Sequence, residues 1–361
     1  MTAGNDRGQA RIGVIGTGWW TTYAHLPSLI EYPLAEVVAI ADPDGGRLEQ
    51  AGEAFGVGRR YLDYREMLDG KRLDGVIVAT PHATHYAIAR DVLERGLGLM
   101  LEKPMVLRAA EARELHDLAG RRGVPLVIGY PYHFVPQHQR LRERIIEGWL
   151  GRLQLVDTLF ASMVLEYYRA NPRAYQPVFA WSITGPRPDS YSDPAVAGGG
   201  QGHLQVTHAA ALLLWLTGLR PVEVAAFMEQ FDLKVDLCDA ISVRFDGGAV
   251  GTLASTGGIP ASQSQHQQLE YRIYGSEGYA LLDPMAGTCR IHYAGGAIET
   301  LDETPADRRY PRELTSRHLV DLLLDRDENR SPGDLGARVV ELLDAAYRSA
   351  TAGRIVRVDE L

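Results

Sequence analysis

Hydrophobic positions in residues 11–130 form short apolar runs that are separated by segments with helical spacing. The apolar runs lie at 12–15, 36–44, 74–80, 97–104 and 124–130, and the clearest helical segments at 85–96 and 108–123. Short apolar runs bounded by turns are typical of strands that are buried on both faces. Their alternation with helices predicts βαβ units and a parallel sheet, which binds its ligand at the carboxyl ends of the strands.

A glycine turn, Gly16-Thr17-Gly18, follows the first predicted strand and precedes a segment, 19–32, that can form a helix. Gly16 permits a tight turn, and Gly18 lets the backbone approach a pyrophosphate at the positive end of the helix. Thr21 takes the place of the third glycine of such motifs. An ordinary strand–turn–helix connection is therefore the alternative.

Asp42 lies at the end of the second predicted strand. A carboxylate here can accept hydrogen bonds from an adenosine ribose, and it repels a 2′-phosphate. This favours NAD over NADP, although Arg47 is a nearby cation. The alternative is that Asp42 caps the helix that begins near Asp44.

Composition narrows the class of protein. The chain has 361 residues, a net charge of −9 and 45% hydrophobic residues, which is enough for two domains. The acidic balance argues against nucleic acid or an anionic membrane as a partner, and the apolar run at 209–216 is too short to span a bilayer. Residues 1–10 have no apolar signal segment and predict a disordered tail. Two cysteines, Cys238 and Cys289, form no disulfide framework, which favours the cytoplasm.

The stretch GGGQGHLQVTH, residues 198–208, places three glycines before two histidines. His203 and His208 are five positions apart, about 140° around a helix, whereas two metal ligands on one helix are four apart. We therefore expect no metal site, here or elsewhere. Gln205 shares the helical face of His208 and is predicted to orient its ring.

Three motifs follow the later strands: TPHATH at 80–85, EKP at 102–104 and GYPYH at 129–133. Together with the glycine-rich turn and the histidine-bearing helix, they resemble the glucose–fructose oxidoreductase/inositol dehydrogenase (Gfo/Idh/MocA) family. The resemblance extends from about residue 11 to 357 and includes the segments 193–200, 271–283 and 342–358.

The resemblance implies an N-terminal Rossmann domain at 11–130 and an α+β domain at 131–361 with a large, mostly antiparallel open sheet that supports a homodimer or homotetramer. It also implies hydride transfer between NAD and a sugar, sugar derivative or cyclitol. Lys103 and His208 match the family's catalytic positions. The expected cofactor contacts are Gly16, Thr17, Gly18, Trp19, Trp20, Asp42, Thr80, Pro81, His82, His85, Glu102 and Lys103. The expected substrate contacts are Tyr130, His133, Trp181, Tyr191, Gln205 and His208.

Three positions depart from the family's pattern. Leu204 stands where members with the standard pattern carry an aspartate, His133 where an arginine is frequent, and His82 where an asparagine is common. These changes leave the fold and cofactor expectations intact and put the substrate in doubt. A regulator that binds NAD without catalysis, and a redox-neutral glycosidase or lyase, remain alternatives.

Lys103 has two interpretations. The chain has three lysines, and the other 34 of its 37 basic residues are arginine. A lysine at this position is therefore expected to serve as a titratable amine. The alternative is an ion pair with Glu102. His208 also has two interpretations: it contacts the substrate, or it is a core residue of an apolar helix. The aromatic segment 167–197 has no clear helix or strand pattern and is interpreted as a lid or as an oligomer contact. Trp19 and Trp20 either form a wall of the cofactor site or belong to the core.

Overall fold

The computed structural model describes residues 8–70, 72–179, 181, 183–301 and 310–361. Of the expected N-terminal tail, residues 1–7 lie outside this part, and the first strand begins at Ala10. Within the described residues, every helix is too short or too polar to span a lipid bilayer.

Six strands form the first sheet: β1 Ala10–Ile15, β2 Ala35–Ala41, β3 Arg60–Tyr61, β4 Gly75–Val78, β5 Gly98–Leu101 and β6 Leu126–Ile128. They are parallel and lie in the order β3-β2-β1-β4-β5-β6. This is the strand order of a dinucleotide-binding Rossmann fold. The predicted parallel sheet is confirmed.

Helices of the first half connect these strands and lead into the second half: α1 Leu26–Ile30, α2 Gly45–Ala54, α3 Tyr64–Gly70, α4 His85–Glu94, α5 Ala109–Arg122 and α6 Pro136–Ile146. A π-helical turn, Thr21–His25, precedes α1. Its hydrogen bonds join residues five apart, a geometry that is rare and is often found at functional sites.

Nine strands form the second sheet: β7 Leu153–Ser162, β8 Pro221–Glu229, β9 Cys238–Phe245, β10 Val250–Thr256, β11 Gln267–Gly275, β12 Gly278–Asp283, β13 Thr288–Tyr293, β14 Ile298–Thr300 and β15 Val356–Arg357. Their order is β14-β13-β12-β11-β7-β10-β9-β8-β15. The β7–β10 pair is parallel and the other neighbouring pairs described are antiparallel. The expected mostly antiparallel sheet is therefore confirmed.

The helices of the second half are α7 Leu165–Tyr168, α8 Gln176–Phe179, α9 Asp189–Ser192, α10 Pro194–Ala197, α11 Thr207–Thr217, α12 Leu314–Leu323 and α13 Gly333–Ala352. Helix α11 is apolar on all sides and is buried against α6, α13 and β7. A second π-helical turn, Gly202–Val206, leads into it. The beginning of α11 is thereby held in the interior of the protein.

Segment 167–197 contains the four-residue helices α8, α9 and α10 and the end of α7. Helices this short give no hydrophobic periodicity, so the sequence pattern does not reveal them. Tyr167, Tyr168 and Tyr175 are buried in one apolar cluster with Leu204. The described part of the segment is thus packed against the second domain.

Helix α12 returns to the first sheet although it belongs to the last fifth of the chain. Leu319 and Val320 are buried against Ile77, Met100 and Val127. Strand residues Gly75 and Gly98 leave the space that Leu319 and Leu323 occupy. The core of the first domain is therefore completed by residues beyond the predicted boundary at 130.

We expect Leu319→Ala to lower the free energy of unfolding by about 2–5 kcal/mol, because it removes a fully buried side chain and leaves a cavity. Urea unfolding measures the change. Ile355→Ala is the control, since Ile355 is 58% exposed and its truncation should cost about 0.5 kcal/mol or less. Equal losses in the two variants would contradict the packing of α12 on the sheet.

Candidate active site

A cavity of about 1970 Å³ lies at the carboxyl ends of β1, β2, β4 and β5, and both domains contribute to its wall. The residues predicted for the site that line it are Gly16, Gly18, Trp19, Trp20, Asp42, Thr80, Pro81, His82, Glu102, Lys103, Tyr191, Gln205 and His208. The cavity thus brings together the glycine turn, the TPH and EKP motifs and the beginning of α11.

The glycine turn has the geometry that a dinucleotide requires. Gly16 has φ +90°, and a Cβ there would collide with the carbonyl of Ala79. At Gly18 a Cβ would meet nothing nearer than the Arg47 guanidinium at 3.9 Å. The backbone is therefore open to a pyrophosphate at the beginning of the following helix, and these residues fit NAD.

Asp42 supports this turn directly. Its carboxylate accepts hydrogen bonds from the Thr17 N–H at 2.7 Å, the Thr17 hydroxyl at 3.0 Å and the Asp44 N–H at 2.8 Å. A carboxylate has about four acceptor sites, so one remains for a ribose hydroxyl. The cap of α2 is Asp44, which accepts from the N–H groups of Gly46 and Arg47. The capping alternative for Asp42 is therefore wrong.

Glu102 is fixed by the first π-helical turn and its flank. Its Oε1 accepts from Trp20 Nε1 at 2.9 Å and lies 3.0 Å from His25 Nε2, while its Oε2 accepts from the Lys103 N–H. Burial alone would raise the pKa of Glu102, but the hydrogen bond and charge of His25 lower it below its usual value. His25 was not predicted, because residues five apart share a side only where the helix has π geometry.

Lys103 does not form the alternative ion pair with Glu102. Its Nζ donates instead to the backbone carbonyl of Leu204 at 3.0 Å, across the boundary between the domains. Desolvation lowers the pKa of Lys103 to about 8, against the raising effect of the Glu102 charge. The amine can therefore exchange a proton near neutral pH.

His208 lies in the cavity wall between two tyrosines, with ring centroids 6.2 Å from those of Tyr130 and Tyr132. Burial, and then the charge of Lys103, lowers its pKa well below the usual value, so the ring is neutral. Its Nδ1 has no hydrogen-bond partner among the described residues. The predicted orienting bond from Gln205 is not formed at this nitrogen.

The described part of segment 167–197 contacts the first domain beside the glycine turn, at Trp19, Thr22 and Arg47. The Tyr191 hydroxyl accepts from Trp19 Nε1 at 2.9 Å, and the Arg47 guanidinium donates to the Gly185 carbonyl at 3.2 Å. The Thr184 hydroxyl lies 3.1 Å from that of Thr22. These bonds hold a second-domain segment across the opening of the dinucleotide site.

Five predicted contacts lie outside the cavity wall: Thr17, His85, Tyr130, His133 and Trp181. Thr17 is buried beneath Asp42, and both ring nitrogens of His85 face carbonyls, of Thr80 and Pro104, at 2.9 Å. His133 is fully buried and stacks on Trp215 at 4.9 Å, and burial lowers its pKa to about 3.

Tyr130 and Trp181 pack elsewhere. The Tyr130 hydroxyl pairs with that of Thr207 at 3.0 Å, and Trp181 packs against the apolar cluster that contains Tyr167, Tyr168 and Tyr175. Tyr132 lines the cavity in place of its neighbours Tyr130 and His133, because a 3-10 turn at Pro131–Phe134 rotates the chain there.

Tyr167 and Phe179 of the aromatic segment also line the wall, and further wall residues carry no motif in the sequence and were missed: Met163, His266, Met285, Tyr310 and Arg312. They come from loops and short helices whose approach to the cavity depends on tertiary packing. Among the described residues, no cluster of three or more His, Cys, Asp or Glu side chains has the arrangement of a metal site.

A Rossmann sheet, a glycine turn with a supporting carboxylate, and a lysine of lowered pKa in the same cavity define a dinucleotide-dependent oxidoreductase fold. Residues 10–130 match the oxidoreductase family with an NAD-binding Rossmann fold, and residues 138–281 match the GFO/IDH/MocA C-terminal domain. The chain belongs to the GFO/IDH/MocA family. The predicted family and nicotinamide cofactor are confirmed.

Individual relatives agree with this membership. The rhizopine catabolism protein MocA of Rhizobium meliloti is 38% identical over 148 residues, which cover 41% of this chain and 45% of that protein. The chain spans about half the length of the first curated relatives it matches. D-xylose 1-dehydrogenase (NADP(+)) 2 of Haloferax volcanii is 25% identical over 96% of this chain and 99% of its own. The structure of GenD2 from gentamicin A biosynthesis, solved with NAD, superposes with a TM-score of 0.77, 26% identity and 99% of each chain.

We expect Asp42→Ala to weaken NAD binding about tenfold or more, because a charge-assisted hydrogen bond to the ribose is lost. NADP affinity should change less, since its 2′-phosphate no longer meets the carboxylate. Titrations of both cofactors by protein fluorescence measure the ratio. Asp69→Ala, at a side chain that is 65% exposed, is the control, and equal affinities of the unmodified protein for the two cofactors would contradict the ribose contact.

Proposed function

We propose that the protein is an NAD-dependent dehydrogenase or reductase that interconverts a secondary alcohol and a ketone on a sugar, sugar derivative or cyclitol. The observation that carries the proposal is Lys103, which lies in the dinucleotide cavity with a pKa of about 8. D-apiose dehydrogenase of Paraburkholderia graminis and scyllo-inositol 2-dehydrogenase of Bacillus subtilis are among the relatives and support the substrate class.

NAD supplies the hydride acceptor for the oxidation. The chain must remove the hydroxyl proton and hold the oxygen, and a positioned acid–base group contributes about 10²–10⁴-fold to such a step. Neutral Lys103 accepts the proton in the oxidative direction, and its ammonium form returns it in the reductive direction. The Leu204 carbonyl holds Nζ in place during both.

His208 contributes a neutral ring beside Lys103 that contacts the reacting hydroxyl. Tyr191 and Gln205 line the same cavity and are proposed as substrate contacts, together with Tyr132. Aromatic faces cover the C–H surfaces of a sugar ring while phenols bond its hydroxyls. Of the two interpretations of segment 167–197, the hydrogen bonds of Thr184 with Thr22 and of Tyr191 with Trp19, beside the glycine turn, support a lid.

We expect Lys103→Arg and Lys103→Met each to lower kcat roughly 10²-fold or more, because neither side chain can exchange a proton near neutral pH. NAD affinity should change little, since the glycine turn and Asp42 hold the dinucleotide. Steady-state kinetics and cofactor titration separate the two effects. Lys234→Arg, at an exposed lysine, is the matched control.

In the unmodified protein, kcat for alcohol oxidation should rise as the pH increases through about 8, because the amine must be neutral to accept a proton. The reductive direction should show the opposite slope.

Near-normal turnover of Lys103→Arg would make Lys103 an electrostatic contact only. Absorbance of NADH across a panel of sugars and inositols tests the alternatives, since a regulator or a redox-neutral enzyme accumulates none.

The protein is also proposed to form a homodimer or homotetramer through the second sheet. On the face opposite α11 and α13, Phe227, Ala240, Ala254 and Leu159 lie in register on neighbouring strands β8, β9, β10 and β7. Phe227 is 78% exposed. An apolar row of this kind on an open sheet fits a second copy of the same surface.

We expect Ala254→Arg to shift the protein to monomer, because it places a charge in the middle of this row. Sedimentation velocity measures the change, with Ile30→Arg on the first domain as the control for an added surface charge. A monomeric unmodified protein would contradict the proposal.

The cytoplasm is the proposed location. Cys238 and Cys289 are both free in the structure, which fits a reducing compartment.

A further inference from the structure

Asp236 is buried beneath the glycine-rich turn that precedes α11. Its side chain is 4% exposed, and its two oxygens accept hydrogen bonds from the N–H groups of Gly200 and Gly202, each at 2.7 Å. Its backbone carbonyl accepts from the Gln201 N–H at 2.9 Å. Three consecutive backbone N–H groups of the turn are therefore bound by one residue.

Tyr347 of α13 braces the same carboxylate. Its hydroxyl donates to Asp236 Oδ1 at 2.9 Å. A Cβ at Gly199 or Gly202 would collide with this tyrosine, and a Cβ at Gly200 would collide with the Asp236 carbonyl. Gly199, Gly200 and Gly202 thus allow the turn to approach Asp236 and Tyr347. These glycines are required for close packing rather than for flexibility.

A continuous series of hydrogen bonds connects this support to Lys103. Asp236 binds the N–H of Gly200, the carbonyl of Gly200 accepts from the Leu204 N–H at 2.9 Å, and the Leu204 carbonyl accepts from Lys103 Nζ at 3.0 Å. Because the acceptor of Lys103 is a backbone atom, its position depends on how the turn is held.

We propose that Asp236 and Tyr347 are positioning residues for the reaction, acting through the Leu204 carbonyl on the amine of Lys103. The proposal rests on the proposed function of Lys103. The residue at 204 offers no carboxylate to hold the amine, so the protein uses the backbone of a rigid turn instead. A misplacement of a reacting group by about 1 Å can cost 10²-fold in rate, so the support has a direct kinetic consequence.

Tyr347→Phe is the sharpest test, since it removes one hydroxyl and keeps the ring. We expect kcat to fall about tenfold while NAD affinity stays within about twofold. The acidic limb of the oxidative pH profile should move below pH 8, because the ammonium form of Lys103 loses a well-placed acceptor. Amide hydrogen exchange of the peptide that spans 198–208 should become faster. Asp236→Asn should cause the same changes more strongly, since one N–H of the turn would then face an amide donor.

Two controls separate positioning from folding. Asp344→Asn alters a different buried carboxylate, on α13, which accepts from the Ala109 N–H at 2.9 Å. Tyr86→Phe removes a hydroxyl that donates to Glu114 at 2.7 Å. Both are expected to affect thermal stability without moving the pH profile. An unmoved or upward-moved limb in Tyr347→Phe, or unchanged exchange at 198–208, would overturn the proposal. If Lys103→Met stays active, the proposed function itself fails, and the exchange measurement still reports on the turn.

Discussion

The hydrogen bond from Lys103 to the Leu204 carbonyl is the contact on which the site depends. It joins the carboxyl end of β5 to the beginning of α11 and so connects the Rossmann domain with the second domain. A lysine that is partly buried in the cavity wall is stabilised by an acceptor, since a desolvated cation without a partner is destabilising. A neutral acceptor satisfies the geometry without adding the negative charge that would raise the pKa of Lys103. The amine is thereby held in place, and its pKa stays near neutral pH, at about 8.

The neighbouring carboxylate is prevented from pairing with this amine. Glu102 is bound by Trp20, His25 and the Lys103 N–H, whereas Nζ donates to the Leu204 carbonyl. Helices α1 and α11 are each preceded by a π-helical turn, at Thr21–His25 and Gly202–Val206. The first turn places Trp20 and His25 on the same carboxylate. The second brings the Leu204 carbonyl toward the lysine.

The two domains close the cavity from opposite sides. Segment 183–191 bonds to Trp19, Thr22 and Arg47 of the first domain. Helix α12 fills the outer face of the first sheet. Elements that are far apart in the sequence therefore pack in the same domain, as α12 does on the first sheet. A boundary at 130 is where the sequence pattern changes, whereas the packed core of the first domain also includes Leu319 and Val320.

The sequence by itself determined the features that depend on local physical chemistry. Buried strands, the glycine turn, Asp42 and the EKP motif each depend on a short stretch of residues, and together they predicted the fold, the cofactor and the place of the site. The tertiary structure alone decided which side chains enter the cavity. His133 and Tyr130 turn away and Tyr132 enters, because a 3-10 turn rotates the chain at that point. The partner of Lys103 is a backbone carbonyl whose position is fixed by Asp236 and Tyr347, residues 32 and 143 positions further along the chain than Leu204. A sequence pattern records side chains and their spacing, and it carries no information about a backbone atom that is positioned by distant contacts.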